Sequence, residues 1–122
     1  MIRFIPVLLF ELMLLASCGN SQSNKNITGK WQGAEWLVEN KPGNYDVAAT
    51  GFEFDSTGNY QFTYQTNVEK GTYKVENNML FTRPKGEKEM MVYIEKLSGD
   101  TLQFKMNRGG TTELLTLLRA TQ

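Results

Sequence analysis

Tyr60-Gln61-Phe62-Thr63-Tyr64 (YQFTY) alternates aromatic and polar residues without a break, and the five residues before it, Asp55-Ser56-Thr57-Gly58-Asn59, are all turn formers. Successive side chains of a strand point to opposite faces, so this alternation puts the three aromatics on one face of a half-buried strand. The Asp-led, Gly-containing turn joins that strand to Gly51-Phe52-Glu53-Phe54 as a hairpin. Two strands and one turn thus define the grammar of the chain.

The same grammar runs outward in both directions. Downstream come Gly71-Thr72-Tyr73-Lys74-Val75, a turn at Glu76-Asn77-Asn78, Met79-Leu80-Phe81-Thr82, and a turn at Arg83-Pro84-Lys85-Gly86. Residues 89–96, the turn Ser98-Gly99-Asp100, residues 101–106, the turn Asn107-Arg108-Gly109-Gly110 and residues 112–119 complete the series. Upstream, residues 31–38 read as a strand, Asn40-Lys41-Pro42-Gly43-Asn44 as a turn, and residues 45–50 as a weaker extended stretch leading into 51–54. This predicts eight antiparallel strands with short links and no helix. Such a chain suits a small up-and-down barrel, since closure removes the unpaired edges of an open sheet. Eight strands enclose enough room to be filled by side chains or to hold one small ligand. An open or sandwich-like meander is the alternative. Apolar residues on both parities of 90–94 and 114–118 leave the inner face of those two strands open.

The 122 residues carry 13 basic and 13 acidic side chains and no histidine. Without a basic cluster there is no electrostatic footprint for nucleic acid. Enzyme chemistry is equally unsupported: no histidine serves as base or metal ligand, Ser56 and Ser98 lie in turns, and Glu53 and Asp55 read as solvated charges opposite Phe52 and Phe54. The expectation is no catalysis, no metal and no cofactor.

The N-terminus reads differently. One positive charge at Arg3 precedes a mostly apolar run, residues 4–15, interrupted by Glu11; Ala16 and Ser17 then lead to Cys18, the single cysteine. The order is that of a secretory signal, and the run is shorter than the ~20 apolar residues that span a bilayer. Leu15-Ala16-Ser17-Cys18 resembles the lipobox of bacterial lipoproteins. The resemblance implies a signal peptide over 1–17, acylation of Cys18 and a membrane anchor through N-terminal acyl chains. Residues 18–26 then form a lipidated cysteine and a polar, flexible tether, and residues 27–122 one domain. No Asp follows Cys18 and no acidic cluster follows it, so the expected location is the cell envelope, at the outer membrane and facing the periplasm.

Gly29-Lys30-Trp31, directly before the first strand, resembles the Gly-x-Trp signature of lipocalins. The order of lipobox, polar tether, this tripeptide and hairpins ending in Leu114-Leu115-Thr116-Leu117-Leu118-Arg119 is similar to that of lipocalin-like lipoproteins of Bacteroidetes. The resemblance assigns Gly29, Trp31 and Arg119 to structure: the tryptophan plugs the closed end of the barrel and the arginine near the end of the last strand stacks on it. A guanidinium on an indole face is worth ~0.5 to 2 kcal/mol. The chain departs from true lipocalins in lacking a Thr-Asp-Tyr signature around 97–102 and a second cysteine.

Two functional readings follow. In the first, the aromatics line a cup, and Trp36, Phe54, Phe62, Tyr64, Tyr73 and Tyr93 bind a small apolar or amphipathic ligand, carried without catalysis; Met79, Met90, Met91 and Met106 give an adaptable wall. In the second, the aromatics and methionines are simply core, and the filled barrel presents residues 40–44 and 65–70 to a protein partner that the sequence does not identify. Asp55-Ser56-Thr57 and Asp100-Thr101-Leu102 also resemble the O-glycosylation acceptor of Bacteroidetes, at Ser56 and Thr101, and read equally as Asp-led turns.

Overall fold

A computed structural model describes residues 26–120; the expected signal peptide over 1–17, Cys18 and the expected tether up to residue 25 lie outside the described residues. Nine strands follow one another: β1 (Gly29–Val38), β2 (Lys41–Pro42), β3 (Thr50–Phe54), β4 (Asn59–Tyr64), β5 (Asn67–Glu76), β6 (Met79–Pro84), β7 (Met90–Ser98), β8 (Thr101–Arg108) and β9 (Thr111–Arg119). Eight of them are the predicted ones, and β2 is a two-residue addition. All pairings are antiparallel between neighbours in the order β1, β3 to β9, and β9 returns to β1, with Trp31 opposite Arg119 and Val38 opposite Glu113. The sheet is therefore a closed barrel, and its long strands have no free edge.

Two-residue turns with positive φ connect several hairpins, at Glu39-Asn40, Asn77-Asn78 and Gly109-Gly110. Both central residues of each turn are left-handed, the geometry whose twist matches that of the flanking strands. The β3–β4 turn is held by the carboxylate of Asp55, whose Oδ1 accepts from the Thr57 N–H (3.0 Å), the Thr57 hydroxyl (2.9 Å) and the Asn59 N–H (2.8 Å).

Two stretches differ from their sequence reading. Residues 45–50, a less certain stretch in the sequence, carry a 3-10 turn at Val47–Ala49, and β3 begins at Thr50, one residue before the expected Gly51. This turn packs against Gly33, where an added Cβ would come within 2.6 Å of the Val47 carbonyl. Residues 65–70, expected as an exposed connection, are mostly strand: Tyr64 pairs with Asn67, so the turn is only Gln65-Thr66. The polar residues Glu69 and Lys70 hid the strand because its inner side carries a carboxylate.

Two register shifts decide which side chains face inward. Between Gly33 and Glu35 the β1–β9 ladder takes in one extra residue, Ala34, so Trp31 and Trp36 both point inside although they are five apart. A similar shift between Ile94 and Lys96 keeps Val92, Ile94 and Leu97 on the inner side of β7. On β9 the inner residues are Glu113, Leu115 and Leu117, and Leu118 is exposed. The two strands whose inner face was open in the sequence are thereby assigned.

One end of the barrel is plugged. Ile27 is fully buried there beside Trp31, whose indole N–H donates to the Ile27 carbonyl (2.8 Å). Phe54, Tyr73, Leu102 and Leu117 are also buried, and the Tyr73 hydroxyl donates to the Asp55 carbonyl (2.6 Å). Arg119 lies over the Trp31 ring and donates to the Thr28 carbonyl (2.9 Å), tying the last strand to the segment before the first.

Candidate functional site in the barrel cavity

The other end is open. A cavity of about 590 Å³ enters the barrel between its inner faces, within the range of ~300–1,000 Å³ typical of small-molecule sites. Trp36, Phe52, Phe62, Leu80, Phe104 and Leu115 give its apolar walls, and Met90, Met91 and Met106 border it. Each wall residue comes from a different strand or an alternating position, so the period-two pattern is what converges them. The Phe52 ring packs 4.7 Å from Phe62 and 5.4 Å from Phe104, centroid to centroid.

Beside the cavity, the segment following β2 closes the gap between β1 and β3. Tyr45 stacks on Trp36 with ring centroids 3.9 Å apart, and Tyr64 meets both rings edge-on. Glu113 is buried behind this cluster, only 4% exposed. Its Oε1 accepts from the Trp36 indole N–H (2.9 Å), its Oε2 from the Tyr45 hydroxyl (3.5 Å), and the Arg108 guanidinium lies 3.9 Å away. A buried carboxylate with three such partners orients Trp36 rather than waiting for a ligand.

A second carboxylate stands in the cavity wall itself. Glu69 pairs with Phe62 across β4 and β5 and shares its inward side. Its Oε2 accepts from the Tyr60 hydroxyl at 2.6 Å. Burial, then the hydrogen bond and the charge of Glu69, push the Tyr60 phenol far above its ordinary pKa, so it remains a donor. Thr82 lines the same wall.

The residues proposed from sequence as ligand-binding are split by the fold. Trp36 and Phe62 line the cavity; Tyr93 borders it but alternates with the inward Val92 and Ile94 and is half-exposed. Phe54 and Tyr73 belong to the plugged end, away from the cavity, and Tyr64 is held in the Trp36–Tyr45 cluster, where its hydroxyl accepts from the Asp46 N–H (2.9 Å). Of the methionines, Met90, Met91 and Met106 border the cavity and Met79 does not. Sequence reasoning missed Tyr45, Glu69 and Glu113. The signal for Glu113 was its parity with Leu115 and Leu117, and for Glu69 its parity with Tyr73 and Val75. Among the described residues no three His, Cys, Asp or Glu side chains gather to hold a metal, and no helix is long and apolar enough to cross a membrane.

Residues 27–104 match the model of a lipocalin-like domain family, from the plugging Ile27 through the inner residue Phe104. The chain belongs to this family. The lipocalin-like barrel is also seen in solved structures. A lipocalin-like protein from Bacteroides uniformis superposes with a TM-score of 0.59 at 14% identity, covering 78% of this chain and 99% of its own. An uncharacterized protein from Bacteroides eggerthii gives 0.55 at 14% identity, covering 73% and 97%. At such identities the likeness is one of fold. No curated protein matches the sequence. A lipocalin-like fold suggests a ligand-binding barrel and is typically a non-enzymatic one.

Proposed function

We propose that this lipocalin-like chain is a non-catalytic binding protein that holds a small apolar or amphipathic ligand in its barrel, anchored to the bacterial envelope through acylated Cys18 at the periplasmic side of the outer membrane. The observation that carries the binding reading is the cavity of about 590 Å³ with Trp36, Phe52, Phe62, Phe104 and Leu115 in its walls. A core that only needed filling would have closed over these rings, because an apolar void forfeits contacts and stability. The anchor rests on the Leu15-Ala16-Ser17-Cys18 pattern alone.

The test is native mass spectrometry and lipid extraction on the protein purified from its own host. A co-purifying small molecule, lost when Phe62 or Trp36 is changed to Ala in a chain that still folds, is the expected result. A bare mass unshifted by apolar probes would instead turn the search to protein partners. Mass analysis of the mature N-terminus checks the anchor independently, since acyl chains on Cys18 add a defined mass.

A further inference from the structure

We infer that the ligand of this cavity carries a cationic group, a protonated amine on an apolar body, and that Glu69 is its counter-ion. This rests on the binding reading above and specifies the chemistry of that site.

The buried and half-buried lining is apolar or aromatic except where Tyr60 on β4, Glu69 on β5 and Thr82 on β6 bring a hydroxyl, a carboxylate and a second hydroxyl to one wall; the other polar lining residues, Lys105, Asn107 and Arg108, are exposed. None of the three ion pairs among the described residues includes Glu69. Two cations border the cavity and neither serves Glu69. Arg108 is at the rim, mostly exposed, with Glu113 as its acidic neighbour at 3.9 Å. Lys105 follows the inward Phe104 on β8, and its residue is exposed to solvent. Glu69 is half-buried beside apolar rings, where part of the cost of removing a charge from water remains unless that charge is compensated. The short bond from Tyr60 satisfies part of that need and fixes the carboxylate against the cavity. A ligand ammonium supplies the rest with charge-assisted hydrogen bonds, while a fatty-acid carboxylate would meet like charge.

Glu113 offers the contrast within the same barrel. It is buried and has the Trp36 indole, the Tyr45 hydroxyl and Arg108 around it. Its role is complete inside the protein. Glu69 faces the space a ligand would occupy.

The experiment uses the full chain and three probes of equal length, octylamine, octan-1-ol and octanoate, with the intrinsic fluorescence of Trp36 as the readout; the chain has only one other tryptophan, at the plugged end. An alkylamine is protonated at neutral pH, as lysine is. The expected result is saturable binding of octylamine about tenfold tighter than of octan-1-ol, with octanoate weakest. In Glu69→Gln, which keeps shape and hydrogen bonding, octylamine falls to the level of octan-1-ol while octan-1-ol itself is unchanged. A merely structural Tyr60–Glu69 bond would not create that charge selectivity. Octan-1-ol or octanoate binding as well as the amine in the wild-type chain overturns the inference and leaves the binding reading standing. An amine preference that survives Glu69→Gln overturns the role of Glu69. Failure of all three probes to bind overturns the binding reading itself. The wild-type preference needs no variant, so it decides the charge question even if Glu69→Gln lowers stability.

Discussion

The guanidinium carbon of Arg119 lies 4.2 Å from the centroid of the Trp31 ring, and the two residues face each other in register across the β1–β9 seam that closes the barrel. The same guanidinium donates to the carbonyls of Thr28 and Asn26, at 2.9 and 3.4 Å. One side chain thus joins the last strand, the first strand and the segment carrying the Ile27 plug. Its ion pair with Asp100, at 3.8 Å on an exposed carboxylate, adds little by comparison.

Arg119→Ala is therefore expected to destabilise the barrel by about 2 kcal/mol, from the lost cation-π contact and the uncovered carbonyls. Arg119→Lys should recover less than half, because an ammonium cannot lie flat on the indole while bonding sideways. Urea denaturation followed by tryptophan fluorescence measures both. An unchanged midpoint in Arg119→Ala would count against the stack as a stabilising contact.

Gly29 is needed beneath that stack. Its φ is 129°, a conformation that L side chains rarely adopt, and a Cβ there would come within 2.7 Å of Arg119 Nη1. Gly29→Ala should cost about 1–3 kcal/mol, combining backbone strain with displacement of the guanidinium. In the Arg119→Ala background the cost should shrink, since the steric part is gone. A double-mutant cycle with no coupling would refute the shared cause.

Glu113 predicts a different asymmetry. Truncation by Glu113→Ala leaves the buried Trp36 indole N–H without its acceptor, and should destabilise by about 1–3 kcal/mol. Glu113→Gln retains a carbonyl oxygen for the indole and should cost clearly less. Thermal unfolding of the two variants side by side is the measurement. Equal losses would mean that the charge, through Arg108, matters more than the hydrogen bond.

The Asp55 turn sets part of the acid limit of stability. The Asn59 backbone N–H foremost, opposed by desolvation and helped by the Thr57 hydroxyl and N–H, holds this carboxyl below the usual carboxylate range. Its folded pKa is depressed, so the stabilisation is present above the unfolded value of ~3.9 and is lost as pH falls through the folded pKa. Asp55→Asn should thus lower stability at neutral pH and flatten the acid decline below about pH 4. Parallel denaturation curves for both proteins across that range would show that Asp55 does not contribute to the acid transition.

Particular strands show what was legible before the structure. Tyr60-Gln61-Phe62-Thr63-Tyr64 could be read directly, because its alternation is unbroken and its turn chemistry strong. Trp36 was placed as a site residue on its aromatic character alone; strict alternation from Trp31 would have sent it outward. The extra residue Ala34 reverses that parity, and a bulge leaves no mark in an otherwise ordinary stretch. Phe54 and Tyr73 looked like cup residues because an inward aromatic has the same pattern at either end of a barrel. Only the position of the Ile27 and Trp31 plug separates core from cavity. Glu69 was hidden by an assumption about polarity, since Val68-Glu69-Lys70 reads as a solvated connection unless the strand of Tyr73 is followed back to Asn67.

By itself the sequence determined the local quantities: strand after strand with short turns between, and so the neighbour-to-neighbour order in which they pair; these follow from period-two alternation and turn chemistry, which act over a few residues. The tertiary structure decided what depends on closure. It alone brought β9 to β1, shifted the register at Ala34, left a cavity between the aromatics in place of solid packing, and set Glu69 beside Tyr60 in its wall. The physical reason is that each of these requires groups far apart in sequence to compete for the same interior volume, and no local pattern records how that competition ends.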